Sequence, residues 1–237
     1  MSGGTQNRLP PALFLHFPML LQTISAGPFG TNLYLITDDS RTHCAIVDAP
    51  PGAAELLLPY LKKNGLTLDA ILITHGHWDH NGGVAGVLAG ANPELPVFAH
   101  EDGRDFHEKP EKFSPWYQAA IPGLSAADFP AFKLSRPTTD GETFTLLGKT
   151  WQALFVPGHC PGSLAFYCPE EKWLFTGDAL FAGSIGRTDL PGGSFPVLEK
   201  SICEKIFPLP GDVRVFPGHG PATTVGEERE SNPYVRA

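Results

Sequence analysis

The sequence predicts an α/β fold in which two β-sheets face each other and helices cover their outer sides. Strand-like apolar runs recur in both halves of the 237-residue chain, and helical segments follow them. One run, AILIT at 70–74, is apolar throughout, as in a strand that is buried on both faces. The 26 glycines and 24 prolines indicate many tight turns and long loops between these elements.

The individual elements follow from hydrophobic periodicity and turn residues. Pro59 lies inside the first helical segment, where a proline counts against an unbroken helix. Residues 101–139 are charged, then aromatic and proline-rich, and are predicted to form an irregular helical excursion that serves as a lid or a substrate wall. The predicted strands are 19–24, 32–37, 44–48, 70–74, 96–100, 143–147, 151–157, 163–168, 172–178 and 214–220, and the predicted helices are 52–65, 82–91 and 197–207.

The domain organisation is predicted to be simple. Residues 1–18 are apolar but interrupted by prolines, and we expect a loosely ordered N-terminal extension rather than a signal peptide. Residues 19–237 contain no low-complexity linker and are expected to form a single domain.

Composition excludes several classes of function. The net charge of −8 and the scattered basic residues argue against nucleic acid as a partner. No apolar run reaches the roughly 20 residues that span a bilayer, so no membrane association is expected. The four cysteines have no CxxC spacing, which argues against a disulfide framework and favours a cytoplasmic protein with reduced thiols. The sequence leaves the oligomeric state open.

Potential metal ligands are concentrated where strand-like runs end. The segment THGHWDH at 74–80 follows the buried run 70–74, and GHCPGS, GDALFAG and GHGP follow three later runs. Catalytic and binding loops lie preferentially at the carboxyl ends of strands in α/β sheets. The candidate ligands at these corners are His75, His77, Asp79, His80, His159, Asp178 and His219.

Seven mixed nitrogen and oxygen donors are too many for one tetrahedral zinc ion and suit two divalent ions that share a carboxylate. We expect zinc, with iron or manganese as alternatives. One ion is assigned to His75, His77 and His159, the second ion is assigned to Asp79, His80 and His219, and Asp178 is expected to bridge them.

The other histidines are predicted to be ordinary structural or surface groups. His16, His43 and His107 have no companions of ligand type nearby in the sequence, and His100 follows a strand, where a surface or structural role outweighs one beside the metal ligands.

These motifs resemble those of the metallo-β-lactamase superfamily. THGHWDH carries its HxHxDH motif, and GHCPGS, TGDALF and PGHGP resemble its later ligand motifs in the expected order, over roughly residues 19–225. The resemblance implies a four-layer αββα sandwich of the metallo-β-lactamase type with a dinuclear metal site at one edge. The segment FTGDALFAGSIGRTDLPGG at 175–193 resembles the short, single-domain glyoxalase II-like hydrolases in particular.

The resemblance implies hydrolysis of a small-molecule thioester such as S-acylglutathione by a hydroxide that bridges the two ions. Asp79 and Asp178 would orient this hydroxide. Arg187 occupies the loop where glyoxalase II carries a basic residue that contacts substrate, although pairing with Asp189 is an equal alternative. Trp78 and Phe181 are adjacent to ligands and could line the substrate pocket.

Three features depart from the glyoxalase II pattern. Only 18 residues follow His219, fewer than the helical C-terminal domain that grips glutathione in full-length glyoxalase II, so the preference for glutathione is open. Cys160 replaces the usual threonine after a ligand histidine, and no base that would activate a nucleophilic thiol is evident. The extension 1–18 is additional. Asp48 and Thr74 are expected to brace a ligand histidine from outside.

Two alternatives remain. A related family of persulfide dioxygenases shares similar motifs and a GRTD segment but uses one iron; it typically shows an AHDY-like sequence at the last histidine, where this chain has FPGHGP. An alternative of another class is a metal-binding protein without catalysis, which the complete set of seven ligands disfavours.

Overall fold

The computed structural model describes residues 19–236, so the predicted extension 1–18 lies outside the described residues. The first sheet has six strands, in which the first three are antiparallel and the following ones run parallel. In spatial order these are β1 (Leu20–Ala26), β2 (Thr31–Thr37), β3 (His43–Val47), β4 (Thr67–Leu72), β5 (Val97–Ala99) and β6 (Arg136–Pro137).

The second sheet also has six strands and is antiparallel except for one parallel pair, β10 with β13. A separate two-stranded hairpin lies between β10 and the next helix. In chain order the strands are β7 (Thr143–Leu146), β8 (Lys149–Phe155), β9 (Leu164–Cys168), β10 (Trp173–Gly177), the hairpin β11 (Leu180–Phe181) and β12 (Ser184–Ile185), then β13 (Arg214–Pro217) and β14 (Thr223–Thr224).

Helices lie on the outer sides of the two sheets. Residues 101–128 form short α-helices and 3₁₀ turns, as expected for the irregular excursion, and α6 continues into a π-helical turn at Ile202–Ile206. The helices are α1 (Ala53–Asn64), α2 (Trp78–Asn81), α3 (Val84–Gly90), α4 (Arg104–Glu108), α5 (Ser114–Ala120), α6 (Phe195–Ser201) and α7 (Val225–Ser231). In the described part of the chain, no helix combines the length and apolar character that a membrane span requires.

The apolar core of residues 19–236 is divided among three clusters that separate the four layers. One lies between the first sheet and α1 and α3, one between the two sheets, and one between the second sheet and α6. Strand β4 and the residue after it serve two clusters: Ile71 and Ile73 pack toward the helices, whereas Ala70 and Leu72 pack toward the second sheet. This alternation explains the continuous apolar run and confirms the predicted αββα arrangement.

Small residues allow α1 and α3 to approach closely, as the glycine-rich sequence of α3 predicts. A Cβ atom at Gly90 would lie 2.2 Å from Leu58 Cδ1, and one at Gly83 would lie 2.2 Å from the carbonyl oxygen of Pro50. The contact at Gly83 holds the start of α3 against the loop after β3, and this loop also supports the candidate site.

Candidate metal centre

The seven predicted ligands lie together where strands of both sheets end. His75 to His80 follow β4, and the other ligands follow β8, β10 and β13. The carboxyl ends of these strands meet at one edge of the sandwich, so four loops far apart in sequence deliver their side chains to one place. Metal-binding geometry occurs in three overlapping triads, whose donor atoms lie within 4.8 Å of one another: His75, His77 and His159; His75, His80 and Asp178; and Asp79, His80 and His219.

Three imidazoles form the first triad and are buried. Nδ1 of His77 lies 3.1 Å from Nε2 of His75 and 2.9 Å from Nε2 of His159. Their rings meet edge to face, with centroids 4.6 to 4.9 Å apart. Three unprotonated ring nitrogens converging on one point are the donor set that a borderline divalent ion prefers.

The triad of Asp79, His80 and His219 mixes oxygen and nitrogen donors. Oδ2 of Asp79 lies 3.3 Å from Nε2 of His219 and 3.5 Å from Nε2 of His80. The two histidine Nε2 atoms are themselves 3.3 Å apart. Oδ2 of Asp79 also accepts a hydrogen bond of 3.0 Å from Thr31 Oγ1, which fixes the carboxylate from β2.

Asp178 lies between the three-histidine triad and the triad of Asp79, His80 and His219. Its Oδ1 is 3.3 Å from Nε2 of His80, and its Oδ2 is 3.6 Å from Nε2 of His159 and 3.5 Å from Nε2 of His219. Oδ1 is buried and has no hydrogen-bond partner among the described residues. A buried carboxylate oxygen without a donor is costly. Its position therefore fits a shared ligand of two cations, which would supply the missing positive charge.

Hydrogen bonds from outside the cluster orient the imidazoles. Nδ1 of His80 bonds Oδ2 of Asp48 at 2.8 Å, and Nδ1 of His159 donates to the carbonyl oxygen of Arg187 at 2.7 Å. Thr74 donates both its backbone N–H and its hydroxyl to Asp48, at 2.8 Å each. A proton held on Nδ1 leaves Nε2 free as a donor toward a metal. Thr74 Oγ1 also lies 3.1 Å from Nδ1 of His75, so Asp48 and Thr74 each contact a ligand histidine as predicted.

Electrostatics keep these groups in the protonation states that a metal needs. Burial lowers the pKa of His77 to about 3, and burial together with the neighbouring imidazole of His80 lowers the pKa of His75. Burial alone would raise the pKa of Asp178, but His80 lowers it below the usual range. Neutral imidazoles and ionised carboxylates are the ligand forms of these side chains.

The opposing shifts of two other histidines follow from their carboxylate neighbours. Burial alone would lower the pKa of His80, but Asp178 and Asp79 raise it well above its ordinary value. Burial also acts to lower the pKa of His219, and its hydrogen bond with Asp79 raises it instead. The carboxylates thus attract positive charge to this half of the cluster, which is the charge that a second cation would bring.

The glycines that precede ligands leave no room for a side chain. A Cβ atom at Gly218 would lie 2.1 Å from Oδ1 of Asp178 and 2.5 Å from Cε1 of His80. One at Gly177 would lie 2.5 Å from Thr74 Oγ1, and Gly177 also has a positive φ of 50°. Glycine is therefore required at these positions because neighbouring loops approach closely there.

A cavity of about 350 Å³ opens onto the cluster. Arg187 lies on its wall, and its guanidinium forms two hydrogen bonds of 2.7 Å with Asp189. The predicted pairing with Asp189 is confirmed, and contact with substrate stays a prediction. The remaining lining residues are Phe29, His77, Asp79, Trp116, Tyr117, His159, Asp178, Leu190 and His219.

Trp78 and Phe181 do not line this cavity. Trp78 is buried, donates its indole N–H to the carbonyl oxygen of Asp128 at 2.7 Å, and packs against Phe129. Phe181 contacts the outer side of His219, with ring centroids 6.2 Å apart. Both side chains pack beside residues of the ligand cluster, and their predicted contact with substrate stays a prediction.

Several groups around the site were not predicted from the sequence. Phe29 comes from the β1–β2 turn, and Trp116 and Tyr117 come from α5 in the segment that was expected to act as a wall. Asn32 donates to the carbonyl oxygens of Pro217 and Gly220 and so fixes the loop of His219. The aromatic composition of 113–123 was the available signal for α5, whereas nothing local marks Phe29 or Asn32.

Several known proteins are similar to this chain in sequence and fold. Hydroxyacylglutathione hydrolase GloC of Haemophilus influenzae is 38% identical over 220 residues, which cover 92% of this chain and 99% of that protein. The solved structure of BLEG-1 B3 metallo-beta-lactamase superposes with a TM-score of 0.81 at 38% identity and covers 92% of this chain and 100% of that chain. TTHA1623 in a di-iron-bound form gives a TM-score of 0.73 at 37% identity, with 90% and 100% coverage.

Most of the chain also matches the model of one protein family. Residues 26–219 match the metallo-beta-lactamase superfamily, and this range contains all seven candidate ligands. The histidine-rich cluster, the αββα fold and these relatives together support a metal-dependent hydrolase. The chain belongs to the metallo-β-lactamase superfamily.

Proposed function

We propose that this protein hydrolyses small-molecule thioesters of the S-acylglutathione type with two divalent metal ions, zinc in the first instance. The observation that carries the proposal is the set of overlapping donor triads beside one cavity. A relative named hydroxyacylglutathione hydrolase, which aligns over nearly its whole length, supports the substrate class. A di-iron form of another relative supports two ions rather than one and makes iron the first alternative to zinc.

The residues divide the work according to their positions. His75, His77 and His159 would hold one ion, and Asp79, His80 and His219 would hold the other, with Asp178 facing both. Bound there, the ions would supply Lewis-acid polarisation of the acyl carbonyl and activation of water.

The protein itself provides orientation and shelter from solvent. Asp79 and Asp178 are ionised and lie on the cavity wall, where they accept and orient the protons of an attacking water. Nη1 of Arg187 has no hydrogen-bond partner among the described residues and is available to a carboxylate of the substrate. The apolar side chains of Phe29, Trp116 and Leu190 enclose the remaining part of the substrate.

The proposal is tested with purified protein loaded with a known number of zinc ions and with S-lactoylglutathione, by measuring release of the free thiol. His77→Ala and Asp178→Ala are expected to lower kcat by at least about a hundredfold, because each removes a donor from the cluster. His43→Ala is the matched control, since His43 is an exposed surface histidine paired with Asp69.

A chromogenic β-lactam is assayed in parallel, because one relative of equal identity is named a metallo-β-lactamase. Hydrolysis of the β-lactam without thioester turnover would overturn the thioester proposal. Protein purified without added metal that contains one iron per chain and consumes oxygen with a persulfide would instead identify a dioxygenase. Two bound ions without turnover of any of these substrates would indicate a metal-binding protein without catalysis.

A further inference from the structure

Tyr117 occupies a position that the metal ligands do not explain. It lies on α5, lines the cavity together with His77 and Asp79, and is separated from them by more than 35 positions in sequence. Its hydroxyl oxygen accepts a hydrogen bond of 3.1 Å from the backbone N–H of Trp78. Because Trp78 is the residue between His77 and Asp79, this bond anchors the hydroxyl beside two ligand positions.

The hydroxyl of Tyr117 donates no hydrogen bond to any described residue. A phenol donates one hydrogen bond and also accepts. The bond from Trp78 occupies an acceptor position, and no described residue accepts the proton of Tyr117. Tyr34, by contrast, donates its hydroxyl proton to the carbonyl oxygen of Pro217 at 2.6 Å. The donor capacity of Tyr117 is therefore available to a molecule in the cavity.

Aromatic neighbours hold the ring of Tyr117 in place. It stacks on Phe129 with centroids 5.6 Å apart and planes 26° apart, and it lies 6.1 Å from the ring of Trp78. Burial is the main cause that raises the pKa of Tyr117, so the group stays protonated throughout the ordinary pH range. A rigid, neutral donor in a partly dry site needs little reorganisation to meet a developing negative charge.

Tyr117 contributes the only hydroxyl among the described residues that line the cavity. Trp116 offers an indole N–H there as well, but 37% of Trp116 is exposed and no described residue accepts a hydrogen bond from its indole. The other polar wall groups are candidate ligands or the paired Arg187.

We propose that Tyr117 is a catalytic residue, whose hydroxyl donates a hydrogen bond to the acyl oxygen of the substrate as negative charge develops on it. This inference rests on the proposed thioester hydrolysis and adds a donor from the protein to the charge stabilisation that the metals supply. Such donors contribute most to the chemical step and little to ground-state binding.

The test compares Tyr117→Phe with Tyr60→Phe. Both changes remove only a hydroxyl, and Tyr60 donates its proton to Gln22 on the outer side of the first sheet, away from the cavity. With the thioester that the wild-type protein hydrolyses, kcat of Tyr117→Phe is expected to fall about 10- to 100-fold with KM nearly unchanged. Metal content and Tm should match those of the control.

A second measurement does not depend on turnover. In metal-free Tyr117→Phe, the amide proton of Trp78 should exchange with solvent faster than in the wild type, because its acceptor is gone. Site-specific 3-fluorotyrosine at position 117 keeps the ring and strengthens the donor, so kcat should rise relative to the same replacement at position 60. This arm decides the question if the phenylalanine variant folds poorly.

The outcomes separate the two proposals. If the wild-type protein turns over no thioester, the proposed function fails, and Tyr117 fails with it. If the wild-type protein is active but Tyr117→Phe keeps the kcat of Tyr60→Phe, or if the Trp78 amide is unaffected, the thioesterase stands and the role of Tyr117 is overturned.

Discussion

Asp48 shows how a single residue orients part of the metal centre. It accepts hydrogen bonds from the backbone N–H and the hydroxyl of Thr74 and bonds Nδ1 of His80. It adopts a positive φ of 59°, a conformation that aspartate and asparagine tolerate better than other residues with a side chain. The carboxylate thereby directs Nε2 of His80 into the ligand cluster, although Asp48 is not a member of any donor triad.

Asp48→Asn should therefore weaken metal binding without unfolding the protein. Asparagine suits the same backbone conformation, but its amide offers one acceptor oxygen where the carboxylate offers two, so either Thr74 or His80 loses its partner. Loss of such an outer contact typically lowers metal affinity about 10- to 100-fold. Competition titration with a zinc-binding dye measures the change.

The chain contains a matched control for this experiment. Asp69 bonds Nδ1 of His43 at 2.9 Å, so it forms the same kind of pair on the exposed surface. Asp69→Asn should leave zinc affinity unchanged. Equal affinities in the two variants would show that Asp48 does not orient His80 for metal binding.

The cysteines give a second prediction at the residue scale. Burial raises the pKa of Cys44 and Cys160 to about 12 and that of Cys168 to about 11, whereas Cys203 is only partly buried. Because the thiolate is the reactive form, Cys203 should be the one thiol of the four that reacts with a disulfide reagent in the folded protein at pH 8. Mass spectrometry of labelled peptides checks this. Rapid native labelling of Cys160 would contradict it and reopen a nucleophilic role for that residue.

At the scale of elements, most strands and helices were predictable, but α2, α7 and the two-residue strands were not. Helix α1 matches the predicted helix 52–65 and is continuous through Pro59, because Pro59 and Glu55 face solvent while Leu57 and Leu61 are buried. Burial of that inner face outweighs one missing hydrogen bond on the outer face. Helix α2 and the two-residue strands β6, β11, β12 and β14 are too short to show a hydrophobic period.

The candidate site divides in the same way. Its ligand residues were predictable, because metal chemistry demands rare side chains at high density, as in 74–80. The cavity wall was predictable only in part: Arg187 and the segment 101–139 were expected there, but Phe29 and Tyr117 as individual residues were not, since they are ordinary aromatic residues whose role depends on which loops the sheets bring together. Their positions are a consequence of tertiary structure, which local sequence patterns do not encode.

Helix α4 contains a buried titratable group, His107, that should make stability depend on pH. Burial, with a smaller effect of Arg104, lowers the pKa of His107 from 6.5 to about 4, and Nδ1 bonds the amide of Asn81 at 3.1 Å. Between pH 6.5 and about 4 the unfolded chain binds a proton at this site and the folded chain does not. The free energy of unfolding therefore decreases as pH falls through this window, by up to about 1.4 kcal/mol per pH unit from this group.

His107→Asn removes this titration and keeps an acceptor near the position of Nδ1. The variant has a lower absolute stability, since the smaller side chain leaves a gap beside Phe132. The slope of its unfolding free energy against pH between 6.5 and 4 should nevertheless be shallower than that of the wild type, as measured by urea titration at several pH values. Parallel slopes would mean that His107 is not held neutral in the folded state.

At the scale of the whole molecule, the charged ligands are concentrated where four loops meet. The three apolar clusters that stabilise the fold lie elsewhere. Hydrogen bonds cross between the sheets close to the site: Leu164 donates its backbone N–H to the carbonyl oxygen of Thr74 at 2.7 Å, and Asn32 donates to that of Gly218 at 2.8 Å. The sandwich thus brings the ligands that follow β4 next to those that follow strands of the second sheet, and every donor triad needs residues from both sets.

Chelation should separate the stability that bound metal provides from the stability that the apolar clusters provide. Removing bound metal is expected to abolish hydrolysis and lower Tm by about 10 °C, since a ligand at a thousandfold excess over its Kd stabilises the folded state by about 4 kcal/mol. The far-UV circular dichroism at 25 °C should persist, because the three apolar clusters contain no candidate ligand. Asp178→Ala is the control: it lacks the shared carboxylate, so the chelator should shift its Tm much less. A protein that carries two ions but keeps its Tm after chelation would show that the cluster folds equally well without them, and the charge argument for Asp178 would then be wrong.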